Sequence, residues 1–281
     1  MDKIGFGCMS LEGRQIDSIK ILRQAYHNDI KFFDTADLYD YGENEKIVGE
    51  ALAPFRDKVQ VTTKVGNEWN ETRTHWRWNP TKDYILKAAE KSLKRLKTDY
   101  IDLYMLHGGT LDDPIDETIE AFEFLKEQGK ILEYGISSIR PNVIREWIKR
   151  SHMGTVMMQY SLLDRRPEEE CLDLLNKSDI SVITRGTLAK GMLIGKPAKE
   201  YLGYSEQEVK LMQEAVSKTE NPISTSIQYV NKHPAVETEV IGIRTLEQLN
   251  ELISSAYIST SEDTLKNLSK VLAPNIYKKH R

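Results

Sequence analysis

The sequence FFDTADLYDYGENEKIVG, residues 32–49, places a short apolar run, a polar loop and a helical pattern in immediate succession. We predict a buried strand over residues 31–34, a tight exit, and a helix over residues 43–51. Asp34 then stands at a strand end, and Tyr39 lies in the following loop. Because a lone buried carboxylate is costly, Asp34 requires a cation from elsewhere in the chain. Taken alone, the stretch is more simply explained by a helix-capping Asp34 and a surface Tyr39.

The composition is that of an ordinary globular protein. The chain has 281 residues, of which 40% are hydrophobic and 29% charged, and its net charge is -4. This balance predicts no basic surface for nucleic acid, and no apolar run reaches membrane-spanning length. Cys8 and Cys171 stand far apart and form no metal-binding or disulfide pattern, which fits a reducing compartment. Residues 1–4 leave no room for a signal peptide before the first strand, so we expect a cytoplasmic protein.

Short apolar runs alternate with helical patterns along the whole chain. Two helical faces, over residues 85–96 and 115–125, place apolar residues three or four positions apart. Gly129 and Pro54 are typical of helix ends. The predicted strands cover residues 4–7, 31–34, 59–64, 101–107, 131–137, 156–159, 181–184 and 239–241.

Eight strands, each followed by a helix, favour a parallel (β/α)8 TIM barrel, which closes with that number of strands. The competing open, doubly wound sheet usually carries GxGxxG after its first strand, a spacing that GFGCMSLEG does not supply. No linker or low-complexity segment divides the chain, so we predict one domain over residues 1–281. Residues 188–205 form a long, Gly-rich connection typical of an active-site loop. Residues 260–272 predict an extra C-terminal helix.

Polar side chains terminate three neighbouring predicted strands. Asp34 ends the second strand, Lys64 the third and His107 the fourth. The carboxyl ends of barrel strands form the functional face, so we expect these groups and Tyr39 to meet at one rim. Individually, a strand-end Lys is more often a surface or salt-bridge residue, and a strand-end His is more often a satisfied core residue. Together they combine a carboxylate, an ammonium, a phenol and an imidazole.

This combination suits protonation of a carbonyl oxygen while another group attacks the carbon. Lys64 supplies the cation for Asp34, and its remaining field is expected to favour ionisation of Tyr39 and so lower its pKa. A phenol with a lowered pKa is a better proton donor near neutral pH, and His107 can orient the substrate oxygen. We find no acyl-transfer nucleophile here and no cluster with metal-ligand spacing.

At these residues the chain resembles the aldo-keto reductases. The resemblance rests on DTAxxY followed by ExxVG, on the later Lys and LH in this order, and on similar stretches that run from Cys8 almost to the C-terminus. It implies a TIM barrel and NADPH-linked reduction of aldehydes or ketones. The implied catalytic tetrad is Asp34, Tyr39, Lys64 and His107. Tyr39 would be the general acid, tuned by Lys64 and Asp34, as hydride arrives from nicotinamide C4.

The resemblance also implies cofactor contacts after the later strands. Ser137, Ser138 and Gln159 would bind the nicotinamide carboxamide, although Ser and Gln at loops serve about equally often as caps. Arg185 stands where relatives often carry an aromatic residue on the nicotinamide, and a planar guanidinium can also stack. The implied cofactor loop comprises Arg185, Gly186, Leu188 and Lys196.

The last β/α unit, VIGIRTLEQLNELI, combines Gly242 and Arg244 with a helix that starts near residue 245. A helix N-terminus and a guanidinium both attract phosphate. The resemblance places the adenosine 2′-phosphate of NADP(H) here, read by Arg244 and Gln248, with Glu251 on the adenine amine. Locally, a capped surface helix with a solvated Arg explains the pattern equally well.

Relatives usually begin with a β-hairpin that closes the barrel bottom, and we predict no such hairpin here. The loop over residues 67–79 carries Trp69, Trp76 and Trp78, which either line a substrate pocket or anchor the loop by packing. We expect a small carbonyl substrate and no nucleic-acid or membrane partner, and the oligomeric state stays open. A nucleotide-binding regulatory or sensor module on the same barrel is the alternative function, but such a module has no need of an intact tetrad.

Overall fold

Eight parallel strands close on themselves, as predicted, to form a TIM barrel. The computed structural model describes residues 3–11 and 15–281. The barrel strands, in their order around the barrel, are β1 (Ile4–Gly7), β2 (Phe32–Asp34), β3 (Gln60–Val65), β6 (Ile101–Leu106), β7 (Ile131–Ser137), β8 (Thr155–Gln159), β9 (Ser181–Arg185) and β10 (Val236–Gly242). The register of β10 with β1 closes the ring, because Glu239 pairs with Ile4 and Gly242 with Gly7.

Helices surround the barrel and follow its strands along the chain. Those of the described residues are α1 (Gln15–His27), α2 (Glu43–Leu52), α3 (Lys82–Leu96), α4 (Ile115–Glu127), α5 (Pro141–Arg150), α6 (Cys171–Lys177), α7 (Glu206–Ser217), α8 (Pro222–Asn231), α9 (Leu246–Ser255) and α10 (Glu262–Leu268). The apolar faces predicted within α3 and α4 are buried, which confirms the helical periodicity. No helix in the described ranges is long and apolar enough to cross a membrane.

Strand alternation separates two cores. In β6, Leu103 and Met105 point into the barrel, where they join one residue from each of four other strands, Phe32, Met157, Ile183 and Val240. Tyr104 between them packs outward on Phe122 of α4, with 5.6 Å between ring centroids. Because side chains alternate along a strand, the strands that contribute to this inner core also cover the larger core under the helices.

Several predicted boundaries differ from the structure. The strand predicted over residues 101–107 ends at Leu106, so His107 lies just beyond it, and β10 begins three residues earlier than predicted.

Residues 67–79 are not a plain loop, because Asn67–Trp69 (β4) and Trp76–Trp78 (β5) form an antiparallel hairpin. The C-terminal helix ends at Leu268, not residue 272, and Arg165 binds the carbonyl of Ser269 at the point where the chain leaves the helix.

The connection from β9 to β10 also differs from the predicted single helix. It contains a 3-10 segment, Ala189–Ile194, and then both α7 and α8. Ser205 caps α7 in a reciprocal capping box with Glu208, and Asn221 caps α8 ahead of Pro222. These capping residues are apparent in the sequence and indicate two separate helix starts. A pattern with one helix after each strand does not include the second helix.

The amino ends of the strands form the opposite face of the barrel. In the described residues, no strand precedes β1. An open depression of about 670 Å³ lies there, lined by Lys31, Asp57, Lys58, Val59, Gln60, Tyr100, Asp102 and Leu132. The Arg56–Asp102 ion pair, at 2.6 Å, ties the loop before β3 to β6 beside it. This depression is remote from the rim that carries the strand-end polar groups, so it is not the candidate site.

Candidate active site

The structure brings Asp34, Lys64, Tyr39 and His107 together at the carboxyl rim of the barrel. β2, β3 and β6 are neighbours, with Asp34 opposite Thr62 and Lys64 opposite Met105. Lys64 Nζ donates to Asp34 Oδ1 at 2.6 Å, and the Tyr39 and His107 rings meet edge to face with centroids 5.9 Å apart. The parallel register places three strand ends, distant in sequence, at one site.

Lys64 is 1% exposed and carries its ammonium between fixed oxygens. Besides Asp34, it donates to the carbonyl of Thr35 at 2.7 Å, and Nζ lies 5.2 Å from the centroid of the Tyr39 ring. Burial lowers the pKa of Lys64, but the Asp34 carboxylate and the Tyr39 phenol outweigh burial and raise that pKa above its usual value. The ammonium therefore stays charged in the barrel at neutral pH.

The expected lowering of the Tyr39 pKa is wrong for this structure. Burial raises the pKa of Tyr39, and the Lys64 ammonium offsets this only in part, while the Asp34 charge adds to the rise. A nearby cation is apparent from the sequence, but the desolvation of a phenolate depends on how deeply the side chain lies in the fold. Tyr39 therefore holds its proton at neutral pH.

His107 is neutral at the same rim. Burial and the charges of Lys64 and Arg185 lower the pKa of His107 to about 3. Its backbone N–H donates to the carbonyl of Val65 at 2.7 Å, which continues the pairing of β6 with β3 beyond the strand end. Within the described ranges, its buried Nδ1 has no hydrogen-bond partner. A neutral imidazole carries one N–H donor, which suits an oxygen acceptor.

Two buried residues that the sequence reasoning missed hold the Lys64 acceptor in place. Thr35 Oγ1 donates to Asn44 Oδ1 at 2.7 Å, and Asn44 Nδ2 donates to the carbonyl of Cys8 at 2.9 Å. Asn44, in the first turn of α2, thus ties the chain just after β1 to the chain just after β2. The available signal was a polar residue, Asn44, on the buried face of the predicted helix.

A second missed cluster lies behind β3. Glu45 of α2 is fully buried, accepts from Thr63 Oγ1 at 2.6 Å and pairs with Arg95 of α3 at 2.5 Å. Asp37 is also buried, and its backbone N–H donates to the carbonyl of Lys64. Burial and the neighbouring Glu45 raise the pKa of Asp37 well above its usual value. This cluster holds α2 and α3 against the strand that carries Lys64.

The predicted cofactor residues follow the other strands of the same rim. Ser137 ends β7 and is half-buried, whereas Ser138 is buried and its Oγ accepts from the backbone N–H of Arg140. Gln159 ends β8, and its amide contacts Arg185 of β9 and Tyr201 of the following loop. Tyr201 was not predicted.

The loop after β9 folds back over itself. Gly186 lies so close to Gln159 that an added Cβ would approach its Cγ to 3.0 Å. Leu188 is half-buried at the base of the 3-10 segment, and Lys196 is exposed with its aliphatic chain against Gly191.

The final predicted group lies at the start of α9. Gly242 and Arg244 are exposed, as are Gln248 and Glu251 on the helix. The backbone N–H of Arg244 donates to Gln248 Oε1 at 2.9 Å, and Thr245 caps the helix by accepting from the backbone N–H of Gln248. The amide oxygen of Gln248 therefore organises the turn, and its Nε2 group is the part suited to donate to a ligand.

Two of the three hairpin tryptophans anchor the loop through hydrogen bonds of their indole N–H groups. Trp78 is anchored, because its Nε1 donates to Asp113 Oδ1 at 2.9 Å. Trp69 donates to the carbonyl of Leu38 and lies 4.5 Å from the ring of Tyr41, whereas Trp76 is half exposed. In the described part of the chain, no three His, Cys, Asp or Glu side chains are grouped to hold a metal ion.

Comparisons with known proteins agree on one family. A model of the aldo/keto reductase family matches residues 3–273. The chain is 46% identical, over 294 aligned residues, to the uncharacterized oxidoreductase YqkF of Bacillus subtilis (strain 168), covering 100% of this chain and 96% of that protein. The structure of aldo-keto reductase AKR11C1 from Bacillus halodurans (holo form) has a TM-score of 0.95 and 43% identity, covering 99% of this chain and 95% of that one.

A third relative bears on cofactor choice. The NADH-specific methylglyoxal reductase of Escherichia coli (strain K12) is 31% identical over 223 residues, which cover 72% of this chain and 68% of that protein. The name of that relative says that it is specific for NADH, so the choice between NADPH and NADH must be argued from the residues of this chain.

Proposed function

The chain belongs to the aldo/keto reductase family, whose members are oxidoreductases, and on that premise we propose that it reduces an aldehyde or ketone to an alcohol with NADPH. Tyr39 is the general acid, Lys64 and Asp34 set its electrostatic environment, and His107 orients the carbonyl. The observation that carries the proposal is the buried Lys64 ammonium, held at 2.6 Å by Asp34 and facing a phenol that keeps its proton.

In this proposal, one side chain supplies the proton and another stabilises the negative charge that develops. Bound NADPH supplies the hydride. Tyr39 gives its proton to the carbonyl oxygen and becomes a phenolate, which the fixed ammonium of Lys64 stabilises as the charge develops. Asp34 keeps that ammonium charged and in place. His107, being neutral, donates one N–H to the same oxygen and does not compete for its proton.

The residues after β7 to β10 fit a nicotinamide dinucleotide. Gly186 approaches Gln159 more closely than a residue with a side chain could, and Ser138 and Gln159 offer a hydroxyl and an amide at neighbouring strand ends. These groups would hold the carboxamide, with Ser137 beside them. Arg185, Gly186, Leu188 and Lys196 would line the cofactor loop. Gly242, Arg244 and Gln248 would receive the 2′-phosphate at the start of α9, and Glu251 the adenine amine.

A nucleotide-binding sensor with little turnover is the second candidate function. It would use the same cofactor residues but not the Asp34–Lys64–Tyr39 arrangement. Lys64 is charged but only 1% exposed, and removing its ammonium from water costs free energy. A module that only binds nucleotide gains nothing from that cost, so the buried ion pair favours the enzyme.

Tyr39→Phe tests the proposal, with Tyr41→Phe as a matched control on the next exposed tyrosine of the same loop. We expect wild type to reduce members of a panel of aldehydes and ketones with NADPH. Tyr39→Phe should lose about 10²–10⁴-fold in kcat, because the general acid is removed, and should still bind NADPH. Tyr41→Phe should retain turnover.

Two results would contradict this outcome. A folded Tyr39→Phe variant with near-wild-type kcat would remove Tyr39 from the mechanism. A wild type that binds NADPH tightly but turns over none of the panel would favour the sensor.

A further inference from the structure

The amide of Gln159 is held at both ends. Its Nε2 donates to Tyr201 Oη at 2.9 Å, and its Oε1 accepts from Arg185 Nη1 at 2.8 Å. A guanidinium can only donate hydrogen bonds, so the amide oxygen must face Arg185 and the amide nitrogen must face Tyr201. The two contacts together set the orientation of a side chain that stands at the end of β8.

Tyr201 reaches this position through a tight turn. Tyr201 and Tyr204 exchange backbone hydrogen bonds of 3.0 Å in each direction, and the two residues between them have positive φ, 51° at Leu202 and 93° at Gly203. Such a turn is the tightest connection between antiparallel segments. Tyr204 fixes it to the C-terminal segment, because its hydroxyl donates to the carbonyl of Ala273 and accepts from the backbone N–H of Asn275.

The two partners of Gln159 differ in how firmly they hold it. Arg185 is exposed, and hydrogen bonds of exposed, flexible side chains contribute little. Tyr201 is 8% exposed, so the surrounding residues restrict its ring, and burial raises the pKa of its hydroxyl to about 12, which keeps the hydroxyl neutral. The buried Tyr201 therefore holds the amide in place, and Arg185 determines which end of the amide carries the oxygen.

With these contacts made, Gln159 has one lone pair on Oε1 and one N–H on Nε2 still available. That pair complements a primary carboxamide, which offers an N–H and a C=O side by side, but not a carboxylate, which has only acceptors. We propose that Tyr201 is a positioning residue that sets Gln159 to select a cofactor carrying a carboxamide. This inference rests on the proposed function, because it requires a nicotinamide cofactor at Gln159.

Tyr201→Phe tests the inference by removing the hydroxyl and keeping the ring. Tyr204→Phe is the matched control, because it removes a hydroxyl from the same turn that makes no contact with Gln159. Calorimetric titration would measure the affinity of each protein for NADP+ and for its nicotinic acid analogue, in which a carboxylate replaces the carboxamide. Titration with NAD+ reports separately on the 2′-phosphate.

We expect wild type and Tyr204→Phe to bind NADP+ roughly tenfold or more tightly than the nicotinic acid analogue. This is the effect expected when one hydrogen bond is replaced by a repulsive contact. Tyr201→Phe should reduce that preference to within about threefold, while the NADP+ to NAD+ ratio stays unchanged. An unchanged preference in Tyr201→Phe would overturn the inference, as would an equal loss in Tyr204→Phe. Failure of the wild type to bind either dinucleotide would overturn the proposed function as well.

Discussion

Lys64 illustrates how one buried charge acquires a defined environment. Its ammonium contacts Asp34 and the Thr35 carbonyl, and that carbonyl belongs to a residue fixed by Asn44. Removing one member of a buried ion pair leaves the other uncompensated, which is far more costly than losing an exposed pair. The local network is therefore organised to keep Lys64 charged in a region where most residues are apolar.

Arg244 carries the predicted choice of NADPH over NADH. Arg244 immediately precedes Thr245, the cap of α9, in a turn that Thr245 and Gln248 hold in place. The 2′-phosphate adds a dianion that only NADPH presents. Charge-assisted hydrogen bonds are worth about 1.5–3 kcal/mol, so one good contact implies roughly tenfold or greater preference.

The measurement is titration of wild type, Arg244→Ala and Lys210→Ala with both reduced cofactors. Lys210 is an exposed lysine of α7, so Lys210→Ala controls for the loss of one positive charge. We expect Arg244→Ala to weaken NADPH alone and Lys210→Ala to change neither. Equal dissociation constants for NADPH and NADH in the wild type, or equal weakening of both in Arg244→Ala, would contradict the assignment.

Among the elements, α2 and α3 make an unusually close contact beside β3. An added Cβ at Gly49 would lie 2.6 Å from the carbonyl oxygen of Leu96 and 2.7 Å from that of Arg95. Both obstacles are backbone atoms, which cannot rotate away. The glycine of the ExxVG pattern is thus required by helix packing, and the same contact brings Arg95 within reach of Glu45.

Gly49→Ala is therefore expected to destabilise the protein, although alanine in a helix interior usually stabilises by about 1 kcal/mol. Overpacking typically costs about 1–3 kcal/mol, which outweighs that gain. Thermal unfolding should show a lower Tm for Gly49→Ala. Lys46→Ala, at an exposed position of the same helix, should stay close to wild type. A Tm for Gly49→Ala at or above the wild-type value would show that the helices separate without penalty.

For the molecule as a whole, the seam between β10 and β1 closes the barrel and contains a buried carboxyl group. Glu239 is fully buried, and in the described residues neither of its carboxyl oxygens has a hydrogen-bond partner. Burial raises the pKa of Glu239 well above its usual value, and Lys3 and the Asn231 side chain offset this only in part. The folded protein therefore holds a proton that the unfolded chain releases above about pH 4.

Because the folded protein retains this proton, its stability decreases as the pH rises. Between the unfolded and the folded pKa of Glu239, the native state binds more protons than the unfolded state, so the free energy of unfolding decreases with pH. Glu239→Gln removes the titration and keeps the shape. We expect its Tm to exceed that of wild type by a margin that widens as the pH rises above the unfolded pKa of about 4. Glu237→Gln, exposed on the same strand, should show no such trend. A difference that stays constant with pH would show that the pKa of Glu239 is not raised in the folded protein.

Sequence periodicity was sufficient to predict the barrel, because apolar strands and helical faces are local patterns that recur along the chain. The same order of elements identified Asp34, Lys64 and His107 as strand-end residues and Tyr39 as their neighbour in a loop. Parallel pairing then brings strand ends to one rim in any such barrel. The family resemblance added Arg244 and Gln159, whose local context alone was ambiguous.

Only the tertiary structure determined the protonation states and the supporting contacts. The pKa of Tyr39 depends on how far burial outweighs the charge of Lys64, and burial is a property of the packed molecule. Tyr201 reaches Gln159 across a separation of 42 residues, and Asn44 joins two chain segments through its amide. No periodic pattern encodes such contacts, because they arise where distant backbone segments happen to place complementary donors and acceptors at bonding distance.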